Sequence, residues 1–246
     1  MCRHLAYLGP PVPLSALLLD PPHALAHQAW APRDMRGGGT INADGFGVGW
    51  FPLGADEPIR YRSAMPIWSD AALPALAAAT TSGAVLAAVR SATVGMPVVE
   101  TAAAPFLDDR WLISHNGVVR GFPGSFAGLA SEVPVEELLT LEAPTDSAAV
   151  SVYIGHWLRA GKPADEVLTT LLTEVRKAAP GSRLNLLLTD GDRILATTAG
   201  HALSVRATGD AVLVASEPLD DHPAWRPVPD NHLLIATPTD VTLGEV

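Results

Sequence analysis

The chemistry of this chain starts from its one cysteine, Cys2, which directly follows Met1. A small residue at position 2 lets the initiator Met1 be removed, so the expected mature chain begins at Cys2. That residue then carries a thiol and a free α-amino group side by side. An ordinary thiol has a pKa of about 8.5 and an α-amine one of about 7.7–8.0, so near neutrality the amine can take the thiol proton, directly or through a water. An N-terminal amine acting as base is one way to activate a nucleophile. The alternative is a buried cysteine serving as a small apolar residue. Other chemistry-bearing residues come in short groups. Arg90-Ser91-Ala92-Thr93 and His115-Asn116-Gly117 each follow an apolar run, and Thr145-Asp146-Ser147 precedes a helical pattern. Polar groups placed by a rigid sheet make good site candidates.

The elements that must position these groups read as follows. Arg3 to Leu8 is a strand stopped by Gly9-Pro10, and Leu14 to Leu19 a short helix. Residues 20–44 are loop-rich and include Gly37-Gly38-Gly39. Asn42 to Phe51 is a turn and then a strand, with Gly45, Gly47 and Gly49 leaving one face bare; such a face receives another backbone or a ligand. Its third glycine is misplaced for a dinucleotide fingerprint. Ile59 to Arg62 pairs with that strand, and Asp70 to Ala79 is a helix capped by Ser69 or Asp70. Ala84 to Val89 is the continuous apolar run of a strand covered on both faces, and Trp111 to Ser114 is another strand. A long helical run follows Thr145-Asp146-Ser147 and extends to about Arg159. A second, Pro163 to Ala178, gathers Leu168, Leu171, Leu172 and Val175 on one face. Five short strands follow, at 183–189, 193–198, 203–207, 211–215 and 233–236, with Asp190-Gly191 as a hairpin turn. Strands, two helices and strands again imply two sheets covered by helices, in a single domain over residues 1–246.

Composition narrows the function. The 246 residues suffice for one large core. A net charge of −10 argues against a nucleic-acid partner, because phosphate binding needs a basic face. One cysteine excludes an internal disulfide and a cysteine zinc cage. His23 and His27 are four apart but have no acidic third ligand beside them, so neither a metal nor a cofactor is expected. No apolar run reaches the length of a membrane span. Arg3, His4 and the apolar stretch to Leu19 imitate a signal peptide ending at Ala24-Leu25-Ala26. Gly9-Pro10-Pro11 and Pro13 interrupt it, and cleavage there would discard Cys2, so a cytoplasmic protein is expected.

Five motifs taken together resemble a known family. Cys2, Asp44-Gly45-x-Gly-x-Gly-Trp50, Arg90-Ser91-Ala92-Thr93, His115-Asn116-Gly117 and Thr145-Asp146-Ser147 occur in the order found in class II glutamine amidotransferase domains, which are N-terminal-nucleophile hydrolases. The resemblance spans nearly the whole chain and implies an α+β fold, a four-layer α/β/β/α sandwich. Met1 to Leu5, Pro66-Ile67-Trp68-Ser69-Asp70 and Ala215 to Asp221 resemble the branch of amidohydrolases that act in ergothioneine biosynthesis on γ-glutamyl-hercynylcysteine sulfoxide. Two departures are visible. Ala88 and Ala104 stand where many amidotransferases carry histidine.

The resemblance implies roles that the residue chemistry supports. Cys2 attacks the γ-carbonyl of a small γ-glutamyl substrate. The Asn116 amide and the Gly117 backbone N–H stabilise the oxyanion, although Asn-Gly is also a plain hairpin turn. Arg90 suits the α-carboxylate, against the alternative of an ordinary ion pair. Asp146 suits the α-ammonium, against simple helix capping. Thr93 and His115 are expected to hydrogen-bond the substrate. Trp68, followed closely by Asp70, is expected at the leaving group, with Trp30 second. An ammonia-donating glutaminase with a synthase partner, and an inactive binding module of the same fold, are the competing readings; no synthase-like second domain or phosphate loop is seen in the sequence.

Overall fold

The computed structural model describes residues 2–34, 36 and 41–246; the Gly37–Gly39 run lies outside them. Two antiparallel sheets stack face to face. The strands are β1 (Arg3–Pro13), β2 (Phe46–Trp50), β3 (Ile59–Ser63), β4 (Thr81–Val89), β5 (Phe106–Asp108), β6 (Trp111–Val118), β7 (Arg183–Thr189), β8 (Ile194–Thr197), β9 (Ser204–Ala207), β10 (Val212–Ala215), β11 (Trp225–Pro227), β12 (His232–Ala236) and β13 (Val241–Glu245). One sheet has seven strands in the order β11-β9-β10-β1-β4-β2-β3, and the other six in the order β13-β12-β8-β7-β6-β5.

Side-chain alternation along each strand separates three apolar layers. On β1, Ala6 and Leu8 face the second sheet, where they meet Leu112, Leu187, Ala196 and Leu234. Leu5 and Tyr7 face the other way, against Leu17, Leu25 and Leu73 of the helices Ser15–Leu18, Leu25–Gln28 and Leu73–Ala79. On the far side, Ile113, Leu186 and Leu188 lie under the helices Asp146–Arg159 and Ala164–Ala178, the latter contributing Leu168, Leu171, Leu172 and Val175. The result is the α/β/β/α sandwich.

Two local differences from the sequence reading have simple causes. β1 does not stop at Gly9-Pro10 but runs to Pro13, with its register against β4 shifted between Leu8 and Val12. The irregular stretch holds Pro10 and Pro11, which lack the N–H that a regular ladder needs. The bare face of β2 is filled by the protein itself, by backbone at Gly47 and by side chains at Gly49. A Cβ on Gly47 would lie 2.5 Å from the Ala104 carbonyl oxygen, and one on Gly49 would lie 2.6 Å from Leu112. The bare face therefore lets the segment before β5 cross close to β2. The strands β5, β11 and β13 escaped the sequence reading; the first two have three residues each.

Candidate active site

Sheet register assembles the site. β1, though at the chain's start, is held on both sides, by β10 and β4. Arg3 pairs with Val89 of β4, and Phe46 of β2 pairs with the same Val89. One residue further along each ladder, Cys2 and Gly45 come to flank Arg90. The Arg90 amide donates to the Gly45 carbonyl at 2.8 Å, and the Asp44 amide to the Arg90 carbonyl at 3.0 Å. Cys2 is half-buried, with Sγ 3.7 Å from the Ser91 carbonyl oxygen.

A narrow cleft opens beside the thiol. Cys2, Arg90, Ser114, His115 and Ser147 give it polar edges, while Ala88, Ala102, Ala104 and Phe106 give it apolar walls. Ala88 and Ala104 thus leave smooth walls where the resemblance led one to look for histidines. The Arg90 guanidinium donates through Nη1 to the carbonyls of Pro97 at 2.8 Å and Asp44 at 3.4 Å. Among the described residues no carboxylate pairs with it. The Asp44 carboxylate instead accepts from the Ala92 amide at 2.7 Å, which fixes the chain just beyond Arg90. Thr93 lies further out, exposed on that loop.

His115, Asn116 and Gly117 are within β6, not at a turn after it. They pair with Leu186, Asn185 and Leu184 of β7. The hairpin-turn alternative for Asn116-Gly117 is therefore overturned, because β7 supplies an extended partner. His115 donates from Nε2 to the Arg183 carbonyl at 3.0 Å, and its Nδ1 lies 3.0 Å from Ser147 Oγ. Gly117 makes that contact sterically open, since a Cβ there would sit 1.8 Å from the Arg183 oxygen and 2.5 Å from His115 Nε2. Asn116 is fully buried, and neither its Oδ1 nor its Nδ2 has a partner among the described residues. Leaving such a group unpaired costs about 1–3 kcal/mol.

Asp146 opens the helix Asp146–Arg159 but does not cap it. The cap is Thr145, whose Oγ1 accepts from the Ala148 amide at 3.2 Å. The buried Asp146 carboxylate accepts from the amides of Val119 at 2.9 Å and Ser147 at 2.8 Å, which pins it beside cleft-lining Ser147. Trp68 is exposed on the turn Ile67–Ser69 and does not line the cleft. Neither does Asp70, whose carboxylate accepts from Tyr61 Oη at 2.9 Å and from the amides of Ala72 and Leu73 at the start of the next helix. Trp30 is exposed and stacks on His27 with 4.6 Å between ring centroids.

Several buried groups near Cys2 were not singled out from sequence. His4 Nδ1 lies 3.1 Å from Ser114 Oγ, which links the two sheets. Burial, then the positive fields of His115, His201 and Arg3, pull the His4 pKa down to about 3. His201 accepts from Arg183 Nε at 3.0 Å and is likewise held down at about 3, by burial and then by Arg183 and Arg3. Glu217 lies beside Arg3 and His23. Burial raises its pKa, but hydrogen bonds from His23 and the amides of Arg33 and Asp34, with the charge of Arg3, outweigh that and bring it to about 2. No signal short of the strand register connects residues this far apart in sequence.

Comparison with known proteins agrees with this geometry. Residues 23–208 match the family described as glutamine amidotransferases class-II. The γ-glutamyl-hercynylcysteine sulfoxide hydrolase of Mycobacterium tuberculosis (strain CDC 1551 / Oshkosh) is 45% identical over 246 residues, covering 99% of this chain and 96% of the relative. The protein of the same name from Mycolicibacterium smegmatis is 44% identical over 236 residues, 95% of each chain. A glutamine aminotransferase class-II domain protein from Silicibacter pomeroyi shares the fold, with a TM-score of 0.70, 23% identity and 99% of both chains covered. Glutamine phosphoribosylpyrophosphate amidotransferase from B. subtilis does so with a TM-score of 0.69 and 14% identity, over 99% of this chain and 49% of that one. With Cys2 and Arg90 set side by side by the pairing of β1 with β4, with Asn116 buried on β6 of the facing sheet, and with the match extending over most of its length, this chain belongs to the class II glutamine amidotransferase family.

Proposed function

We propose that this protein is a γ-glutamyl amidohydrolase that removes glutamate from γ-glutamyl-hercynylcysteine sulfoxide. One observation carries the reading: the Cys2 thiol and the Arg90 guanidinium, free of any carboxylate partner among the described residues, line the same cleft. The long match to hydrolases of that name supports the substrate. The protein is expected to work in the cytoplasm, on a small molecule and not on nucleic acid, with Met1 removed.

The chemistry follows from the residues. The Cys2 α-amine accepts the thiol proton, and Sγ attacks the γ-carbonyl carbon. The carbonyl π-electrons move to oxygen, where the Asn116 amide and the Gly117 N–H stabilise the charge. Collapse breaks the C–N bond. The α-ammonium returns its proton to the departing nitrogen and leaves a glutamyl thioester on Cys2. Water then attacks the thioester, gives its proton to the amine and releases glutamate, and the thiolate is reprotonated. Arg90 holds the α-carboxylate through its planar fork, and Asp146 the α-ammonium. His115 and Thr93 complete the substrate contacts. Trp68, with Asp70 close by, is exposed outside the lining of the cleft and is the first candidate to meet the permanent cation of the leaving group, with Trp30 second, a contact worth about 0.5–2 kcal/mol.

The test is competition between substrates. We expect a far higher kcat/KM for the sulfoxide than for glutamine, and a smaller ratio in Trp68→Ala. Comparable values for the two substrates would reject the specialised hydrolase. An unchanged ratio in Trp68→Ala would remove only the aromatic contact.

A further inference from the structure

We infer that Glu217 is a positioning residue for the nucleophile, acting through Arg3 to lock Cys2 at the end of β1. This inference rests on the proposed role of Cys2. A nucleophile at a chain terminus is tethered by peptide linkage on one side only, so its backbone must be held by other means. The register supplies them. Leu5 pairs with Ala215 of β10, which brings His4 opposite Ser216 and Arg3 opposite Glu217. The first of these contacts is closed twice, by Ser216 N–H to the His4 carbonyl at 2.9 Å and by His4 N–H to Ser216 Oγ at 3.0 Å.

The second contact is made by charged side chains. Arg3 and Glu217 are 2% and 3% exposed. Arg3 Nε donates to Glu217 Oε1 at 3.0 Å and Nη2 approaches the same oxygen at 2.9 Å, while Nη1 donates to the Cys2 carbonyl at 3.2 Å. The guanidinium thus joins the nucleophile's own backbone to the Glu217 carboxylate. The carboxylate is saturated by further donors: His23 Nε2 at 2.7 Å and the backbone amides of Arg33 at 2.8 Å and Asp34 at 3.1 Å. Arg3 also donates to the Asp34 carbonyl, so the segment at 33–34 is fastened to the same pair. A buried ion pair adds little net stability over an apolar replacement, because desolvation consumes the attraction. Its clearest gain here is geometric, and misplacing a reacting group by about 1 Å can slow a reaction roughly a hundredfold.

Glu217→Gln tests this. The amide keeps the shape and one acceptor oxygen but turns an N–H donor, in place of an anion, toward either Arg3 or His23. With the full-length protein, kcat for γ-glutamyl-hercynylcysteine sulfoxide is expected to fall by about tenfold to a hundredfold while KM stays within about threefold. Alkylation of Cys2 by iodoacetamide, which needs no alignment, is expected to accelerate as one kinetic phase. Leu172→Ala is the control for lost stability alone. Leu172 is buried on the inner face of the helix Ala164–Ala178 and does not line the cleft, and its truncation is expected to leave both rates unchanged. Wild-type rates in Glu217→Gln, a rise in KM alone, or the same losses in Leu172→Ala would each overturn the positioning role. If the unsubstituted protein turned over no γ-glutamyl amide, the proposed function would fail, and the alkylation rates would still decide the fate of the clamp.

Discussion

Acid should unlock this fold from the inside, and the structure says where. His4 and His201 are both buried, and both are held neutral with pKa values near 3, against about 6.5 in an unfolded chain. Below pH 6.5 the unfolded state binds these two protons and the folded state does not. Stability therefore rises with pH across the window from 3 to 6.5 and is lost as the pH falls through it. Each group contributes up to about 1.4 kcal/mol per pH unit, so lowering the pH from 6.5 to 5 removes on the order of 2 kcal/mol per histidine. The two together approach 4 kcal/mol, a large part of the roughly 5–15 kcal/mol that holds a domain together. Glu217 acts in the same direction but lower down. Its folded pKa is about 2, so its stabilising effect is full above its ordinary value and fades only as the pH falls toward 2. Between pH 6.5 and 5 the histidines dominate. Urea unfolding at pH 7, 6 and 5 measures the slope directly. His4→Asn, whose amide can still face Ser114 Oγ, is expected to remove about half of it. A stability that stays flat from pH 7 to 5, or a slope untouched by His4→Asn, would refute this account of the buried pair.

The further outcomes concern the cleft. Cys2→Ala is expected to abolish hydrolysis yet still bind the γ-glutamyl substrate in calorimetry, and retaining Met1 or adding one residue before Cys2 is expected to stop turnover with the fold intact by circular dichroism. Arg90→Ala and Asp146→Ala, each removing one member of a substrate ion pair, are expected to weaken binding by about 2–5 kcal/mol, read as Kd on a Cys2→Ala background. Asn116→Ala is expected to lower kcat by about 10²–10³-fold with little change in KM, as steady-state kinetics would show.

How much of this could be read from the sequence depends on the range of each interaction. Alternation and 3.6-residue periodicity are local, so the apolar runs 84–89 and 111–114 and the face Leu168, Leu171, Leu172, Val175 were legible and lie in the core layers. The conformation of Asn116-Gly117 was not. The dipeptide favours a turn on its own, and only the pairing with Asn185 and Leu184, almost seventy residues away, keeps it extended. The cap of the helix Asp146–Arg159 shows the same limit at short range. Thr145 and Asp146 are both good capping residues, and the choice went to Thr145 because the amides of Val119 and Ser147 hold the Asp146 carboxylate.

The glycines of β2 and the ladders of β1 show how the fold turns such distant pairings into a site. Gly47 has no Cβ, so the Ala104 backbone can cross there, and Ala104 becomes a wall of the cleft. Arg3 pairs with Val89, so the thiol one residue earlier meets the arginine one residue later. On the opposite edge of β1, the same register logic brings Glu217 to Arg3 across 214 positions of sequence. A shift of one residue in either ladder would turn Cys2 to the other face of the sheet and separate it from Arg90. The geometry of the cleft is therefore fixed by the same hydrophobic alternation that fixes the core: Leu5 and Tyr7 must point toward the helices and Ala6 and Leu8 toward the second sheet, and with those four settled, Cys2 has one place to go.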